Sequence, residues 1–195
     1  MFDLVLQMGE PKIQLGAEMQ IDLEQAFEAC GKKVIPAFTV DNIEEAKALV
    51  QYVRLNSEFD LMAVSESSEV LQYIYEEEPS AIRTVQKFQS VENDQLISTT
   101  THTSKASIAM VPKSMKRTSM EYLQSRFLSV WVMDDASTDE AITKGALDNG
   151  ANGIVLKDEE TAYRLYELVD RKNVYCRKTP FIGHRGYPKV APENT

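Results

Sequence analysis

The feature that most constrains this chain is an alternation of two textures. Short apolar runs occur at Val34-Ile35-Pro36-Ala37-Phe38-Thr39-Val40, Leu61-Met62-Ala63-Val64, Ala81 to Phe88, Ile108-Ala109-Met110-Val111, Ser129-Val130-Trp131-Val132-Met133 and Gly153-Ile154-Val155-Leu156. They recur about every 20–27 residues, and most are separated by amphipathic stretches, the pattern of parallel strands joined by crossover helices. The runs are nearly continuous in apolar residues, as strands covered on both faces must be. Two architectures satisfy this: a (β/α) barrel or an open doubly wound sheet.

The amphipathic stretches carry helix signals. Asp41 or Asn42 can cap a helix whose first turn holds Glu44 and Glu45, with Ile43, Ala46, Leu49, Val50 and Val53 on one stripe. A second helix is expected near Ser67 to Glu78, stopped by Pro79, with Glu76-Glu77-Glu78 as a solvated end. Val91 to Lys105 is polar and Ser/Thr-rich and reads as a loop with room for a short helix. His102 lies there as a solvated loop residue. After the basic loop Lys113 to Thr118, Ser119 to Phe127 reads as a helix with Met120, Leu123 and Phe127 on its packed side. Thr138 to Asn149 and Glu159 to Val169 read as further helices, and Gly150 as a stop. The first ~33 residues are less regular, with one or two short strands and a helix near Ile21 to Ala29.

Composition narrows the function classes. Net charge is −9, which repels phosphate backbones, so no nucleic-acid partner is expected. Cys30 and Cys176, the only two cysteines, have no metal spacing and form no disulfide framework. No run reaches the ~20 apolar residues of a membrane span, and the N-terminal stretch lacks the features of a signal peptide. Membrane association would have to come from segments outside this chain. No GxGxxG or GxxxxGK[ST] loop is present, which lowers the weight of nucleotide-binding sheets.

Chemistry concentrates near the C-terminal end. In Phe181-Ile182-Gly183-His184-Arg185-Gly186 an apolar run delivers His184 and Arg185 to a strand end, where barrel enzymes place their reactive groups. Histidine moves protons near neutral pH, arginine offers a cationic fork for phosphate, and Glu193 offers a hard oxygen ligand for Ca²⁺ or Mg²⁺. Those residue types suit metal-assisted phosphoester hydrolysis; a structured turn with incidental charges would contain them too.

The strings Gly183-His184-Arg185-Gly186 and Ala191-Pro192-Glu193-Asn194-Thr195 resemble the opening motif of the glycerophosphodiester phosphodiesterase family. The resemblance implies a TIM barrel acting on glycerophosphodiesters to give an alcohol and glycerol 3-phosphate, with a divalent metal (Ca or Mg). It would make His184 the acid/base histidine, Arg185 a phosphate-binding residue, Glu193 a metal ligand and Asn194 a substrate-orienting residue. The family's remaining acidic ligands, second histidine and later lysine would fall beyond Thr195, so this chain by itself is expected to be inactive.

Upstream, Ser129 to Asp134 resembles the family's strand with a tryptophan near its end. Gly150 to Asp158 resembles its glycine-flanked final strand, and Asp60 to Ser65 a strand ending in serine. The strand Val34 to Val40 ends without a lysine. The expected architecture is therefore an incomplete or degenerate phosphodiesterase-like TIM barrel over residues 1–178 and the truncated start of a catalytic domain over 179–195. One alternative is a non-catalytic binding or scaffolding barrel. Another is a receiver-type domain using Asp134 or Asp135, which would lack the required loop after Lys157.

Overall fold

A computed structural model describes residues 3–7, 35–55, 61–133, 150–156, 160, 161 and 164. Its seven strands are β1 (Asp3–Gln7), β2 (Ile35–Thr39), β3 (Leu61–Ser65), β4 (Ile82–Lys87), β5 (Ile108–Pro112), β6 (Ser129–Met133) and β7 (Gly153–Leu156). Each pairs in parallel with its sequence neighbour, and β1 also pairs with β7, so the sheet closes into a barrel. The TIM barrel proper has eight strands; among the described residues this one closes with seven. The open doubly wound alternative is thereby excluded.

Among the described residues four helices of two turns or more lie against the strands: α1 (Ile43–Leu55), α2 (Ser68–Glu77), α3 (Asp94–Thr103) and α4 (Arg117–Ser125). The first two begin where the sequence places them. Asn42 Oδ1 accepts from the Glu45 backbone N–H at 2.9 Å, while Glu45 Oε2 accepts from the Asp41 N–H at 2.8 Å. This side-chain-to-backbone exchange satisfies donors that a helix start leaves orphaned. Ser67 caps α2 through Val70 N–H. The expected solvated acidic end is more specific than that: Arg54, in the last turn of α1, donates to Glu77 Oε2 at 2.8 Å and also pairs with Glu78. These contacts hold the guanidinium more firmly protonated than usual, first through the Glu78 hydrogen bond and then through that of Glu77.

Two expectations are corrected. Val91 to Lys105 is mainly helix, not loop: Asn93 caps α3 at Leu96 N–H, and Ile97, Ser98 and Thr101 are buried. Thr101 satisfies its buried hydroxyl by donating to the Ile97 carbonyl at 2.7 Å. His102 is accordingly an exposed helical residue. Phe127, placed by periodicity on the packed side of α4, lies past the helix end at φ 64° and is 94% exposed. Leu128 N–H bonds back to the Leu123 carbonyl and Phe127 N–H to that of Gln124, a six-to-one and five-to-two closure that turns Phe127 outward. Lys105 (φ 60°) ends α3 the same way, through Ala106 to Thr101 and Lys105 to His102.

The core has two layers. Phe38, Leu49, Val53, Leu61, Ala63, Ile74 and Ile82 lie buried between the strands and α1 and α2. Ala37, Met62, Val64, Val85, Ile108, Met110, Trp131 and Val155 form a second buried cluster from the opposite strand faces, inside the barrel. Gly150, at φ 80°, takes the left-handed conformation expected of a stop before β7. Asn152 then ties β6 to β7, exchanging two backbone-linked hydrogen bonds with Val130 (2.8 and 3.0 Å). The helix read over Thr138 to Asn149 and the proposed boundary near Thr179 lie outside the described residues. So do Cys30, Cys176, Asp134, Asp135 and Lys157. Of the helix read over Glu159 to Val169, the described Glu160, Thr161 and Arg164 are helical.

Candidate functional site

In a parallel barrel the strand C-termini and the loops after them form the reactive face. Here β3 and β4 furnish its best-defined part. Val85 points into the barrel, and the period of two puts Lys87 on the same side. Lys87 Nζ lies 3.0 Å from Glu66 Oε1, with side chains 18% and 48% exposed. Gln89 Nε2 donates to that same Glu66 oxygen. The Lys87 hydrogen bond is the main cause of a Glu66 pKa below the ordinary carboxylate range, with Gln89 adding to it against partial burial.

Gln86 faces the other way, under the start of α2. Its amide donates to the Ser65 and Glu66 carbonyls at 3.2 and 2.9 Å, and its Oε1 accepts from Ser68 Oγ at 3.1 Å. Ser65 Oγ accepts from the Ser67 N–H at 3.1 Å. This buried network fixes the β3–α2 loop, and with it the position of Glu66. Nothing in the local sequence marks Lys87 or Glu66 as partners; only strand register brings them together.

Further round the wall, α3 and α4 leave a groove with a polar and a more apolar part. One part, about 550 Å³, is lined by residues that include Glu92, Asp94, Ser114, Lys116 and Tyr122. A second part, about 320 Å³, shares Gln95 and Tyr122 and extends to His102 and Arg126. Arg126 lies 5.3 Å from the centre of the Tyr122 ring, within cation–π range. Of the stretch read as a basic loop, Lys116 lines this groove, whereas Arg117 opens α4 and pairs with Glu121 at 2.8 Å.

The sequence-derived site residues His184, Arg185, Glu193 and Asn194 all lie outside the described residues. Among the described residues no three His, Cys, Asp or Glu side chains gather to hold a metal ion. Glu66, the carboxylate best placed at the mouth, is engaged by Lys87 and Gln89. The divalent metal that the resemblance implies would be held at Glu193, which lies outside the described residues, and no chemical step is assigned to the described strand ends through one. Among the described residues no helix is long and apolar enough to cross a membrane.

Comparison with solved structures agrees on architecture. A glycerophosphodiester phosphodiesterase from Agrobacterium tumefaciens superposes with a TM-score of 0.54 at 16% identity, over 73% of this chain and 60% of that one. A phosphodiesterase from Oleispira antarctica, solved with its product sn-glycerol-3-phosphate, gives 0.57 at 9% identity, over 70% and 56%. Phosphoribosyl anthranilate isomerase from Thermus thermophilus gives 0.53 at 13% identity, over 87% and 88%. This chain thus spans under two thirds of the two phosphodiesterases, and at such identities the likeness is one of fold. It extends to barrels of other chemistry. No family model and no curated protein matches the sequence.

Proposed function

We propose that this chain is part of a glycerophosphodiester phosphodiesterase, in which residues 1–178 form a degenerate barrel and a catalytic domain opens near Thr179. The observation that carries this reading is the paired string Gly183-His184-Arg185-Gly186 and Ala191-Pro192-Glu193-Asn194-Thr195. The barrel fold shared with solved phosphodiesterases supports it. In this reading His184 transfers a proton at the leaving oxygen and Arg185 neutralises phosphate charge. Glu193 is one ligand of a divalent metal, and Asn194 orients the substrate. The metal would supply electrophilic activation of the phosphoryl group. A chain extended past Thr195 should hydrolyse glycerophosphocholine in a metal-dependent way and lose that activity in His184→Ala. Full activity in that variant overturns the site assignment.

A second reading makes the upstream barrel a binding module that holds a glycerol-phosphate headgroup without cleaving it. The Lys87–Glu66–Gln89 cluster at the mouth favours it, since among the described residues it offers a cation paired with a half-exposed carboxylate. Calorimetric titration of the 195-residue chain with glycerophosphocholine and sn-glycerol 3-phosphate tests it. Absence of heat with both rejects it.

A further inference from the structure

Among the described residues, the barrel interior contains a polar group that its packing does not account for. Trp131 is 0% exposed, lies in the interior cluster, and its indole N–H has no hydrogen-bond acceptor among the described residues. An unpaired buried donor forfeits the hydrogen bond it makes to water in the unfolded chain and calls for a specific explanation. Register shows what flanks it. Trp131 stands level with Gly153 on one side, which contributes no side chain, and with Met110 on the other, which offers only a weakly accepting thioether. Met110 in turn stands level with Lys87. One row across the barrel therefore carries an indole donor and an ammonium donor. Among the described residues the charged acceptor that Lys87 meets is Glu66, which stands at the rim.

We propose that this row binds a small oxyanion, a phosphate monoester or a carboxylate, between the Lys87 ammonium and the Trp131 indole N–H. Glu66 acts as an internal competitor for Lys87. Two donors with one described acceptor between them, Glu66, select a ligand rich in acceptor oxygens, and at Gly153 no side chain stands level with the indole. Lys87 belongs to none of the sequence motifs described above. The proposal rests on reading the barrel as a binding module and adds to it the residues and the ligand chemistry.

Trp131 is the sole tryptophan of the chain, so its fluorescence reports on this row alone. The 195-residue chain is titrated with inorganic phosphate, sn-glycerol 3-phosphate and acetate, with glycerol as neutral control, following both emission and heat. Oxyanions should change the emission saturably and glycerol should not. Lys87→Met should weaken binding about tenfold or more, the loss expected for one charge-assisted hydrogen bond. Glu66→Gln should tighten it by freeing Lys87. The order of affinities among the three ligands then separates a headgroup from free phosphate or a carboxylate. Heat without an emission change, at equal affinity in Lys87→Met, overturns this site while leaving headgroup binding standing. Absence of binding by any ligand overturns both. Should Lys87→Met fail to fold, Glu66→Gln decides: unchanged or weaker binding overturns the proposal.

Discussion

Helices α1 and α2 cover their part of the barrel wall with aliphatic side chains, begin on side-chain caps and meet through Arg54 and the Glu77–Glu78 end. Helices α3 and α4 do the same job on other terms. The buried face of α3 holds Ser98 and Thr101 beside Ile97, and α4 starts at Lys116 without a side-chain cap. Both end on non-glycine residues in the left-handed region, and a groove lies between them. The first pair is held by burial of apolar area. The second relies more on hydrogen bonds made locally, such as Thr101 to Ile97, which add less per residue. One fold thus tolerates a strong and a weak way of closing the same kind of βα unit.

The sharpest way to break this contrast is Leu49→Ala in α1. Leu49 is wholly buried, and its loss should cost about 3 kcal/mol in chemical denaturation, as for other buried leucines. A cost under about 1 kcal/mol would mean that the apolar sector is not the stronger one. In the other direction, Phe127→Gly should stabilise by about 1 kcal/mol: it relieves a left-handed side chain, and the ring, already 94% exposed, loses almost no burial. A destabilised variant would show that the ring contributes packing. Asn93→Ala should cost about 1 kcal/mol, with faster amide exchange confined to α3. Equal acceleration in α1 would blur the boundary between sectors.

The smallest effect concerns the rim. Because Lys87 lowers the Glu66 pKa, the folded state gains from the ionised carboxylate above its unfolded pKa. That gain is lost as pH falls through the still lower folded value. Glu66 is half-exposed, so the term should stay below about 1 kcal/mol. Melting curves of the wild type and Lys87→Met should converge as pH drops from 7 to 3; a gap that widens would contradict the pairing.

Legibility in the sequence followed the same division. β2 to β7, α1 and α2 could be read directly, because continuous apolar runs and a capped stripe have few alternative uses. α3 was obscured by Ser98-Thr99-Thr100-Thr101, whose β-branched threonines have low helix propensity until Asn93 and the buried Ile97 commit them. Phe127 was misplaced because spacing from Leu123 matches a helical stripe, whereas the chain leaves the helix at Ser125. Lys87, Glu66 and Trp131 were not legible as a group, since barrel closure and register, not proximity in sequence, set them near one another.

The pairing of Asp3 with Gly153 has a consequence for synthesis. Until β7 emerges, the growing sheet presents two unpaired edges, one on β1 and one on β6, each able to recruit another chain. Lengthening the span to be closed adds little entropy per residue, so the delay comes from waiting for the last strand rather than from its distance. The four residues Gly153–Leu156, the shortest strand described, thereby remove both aggregation-prone edges in one step.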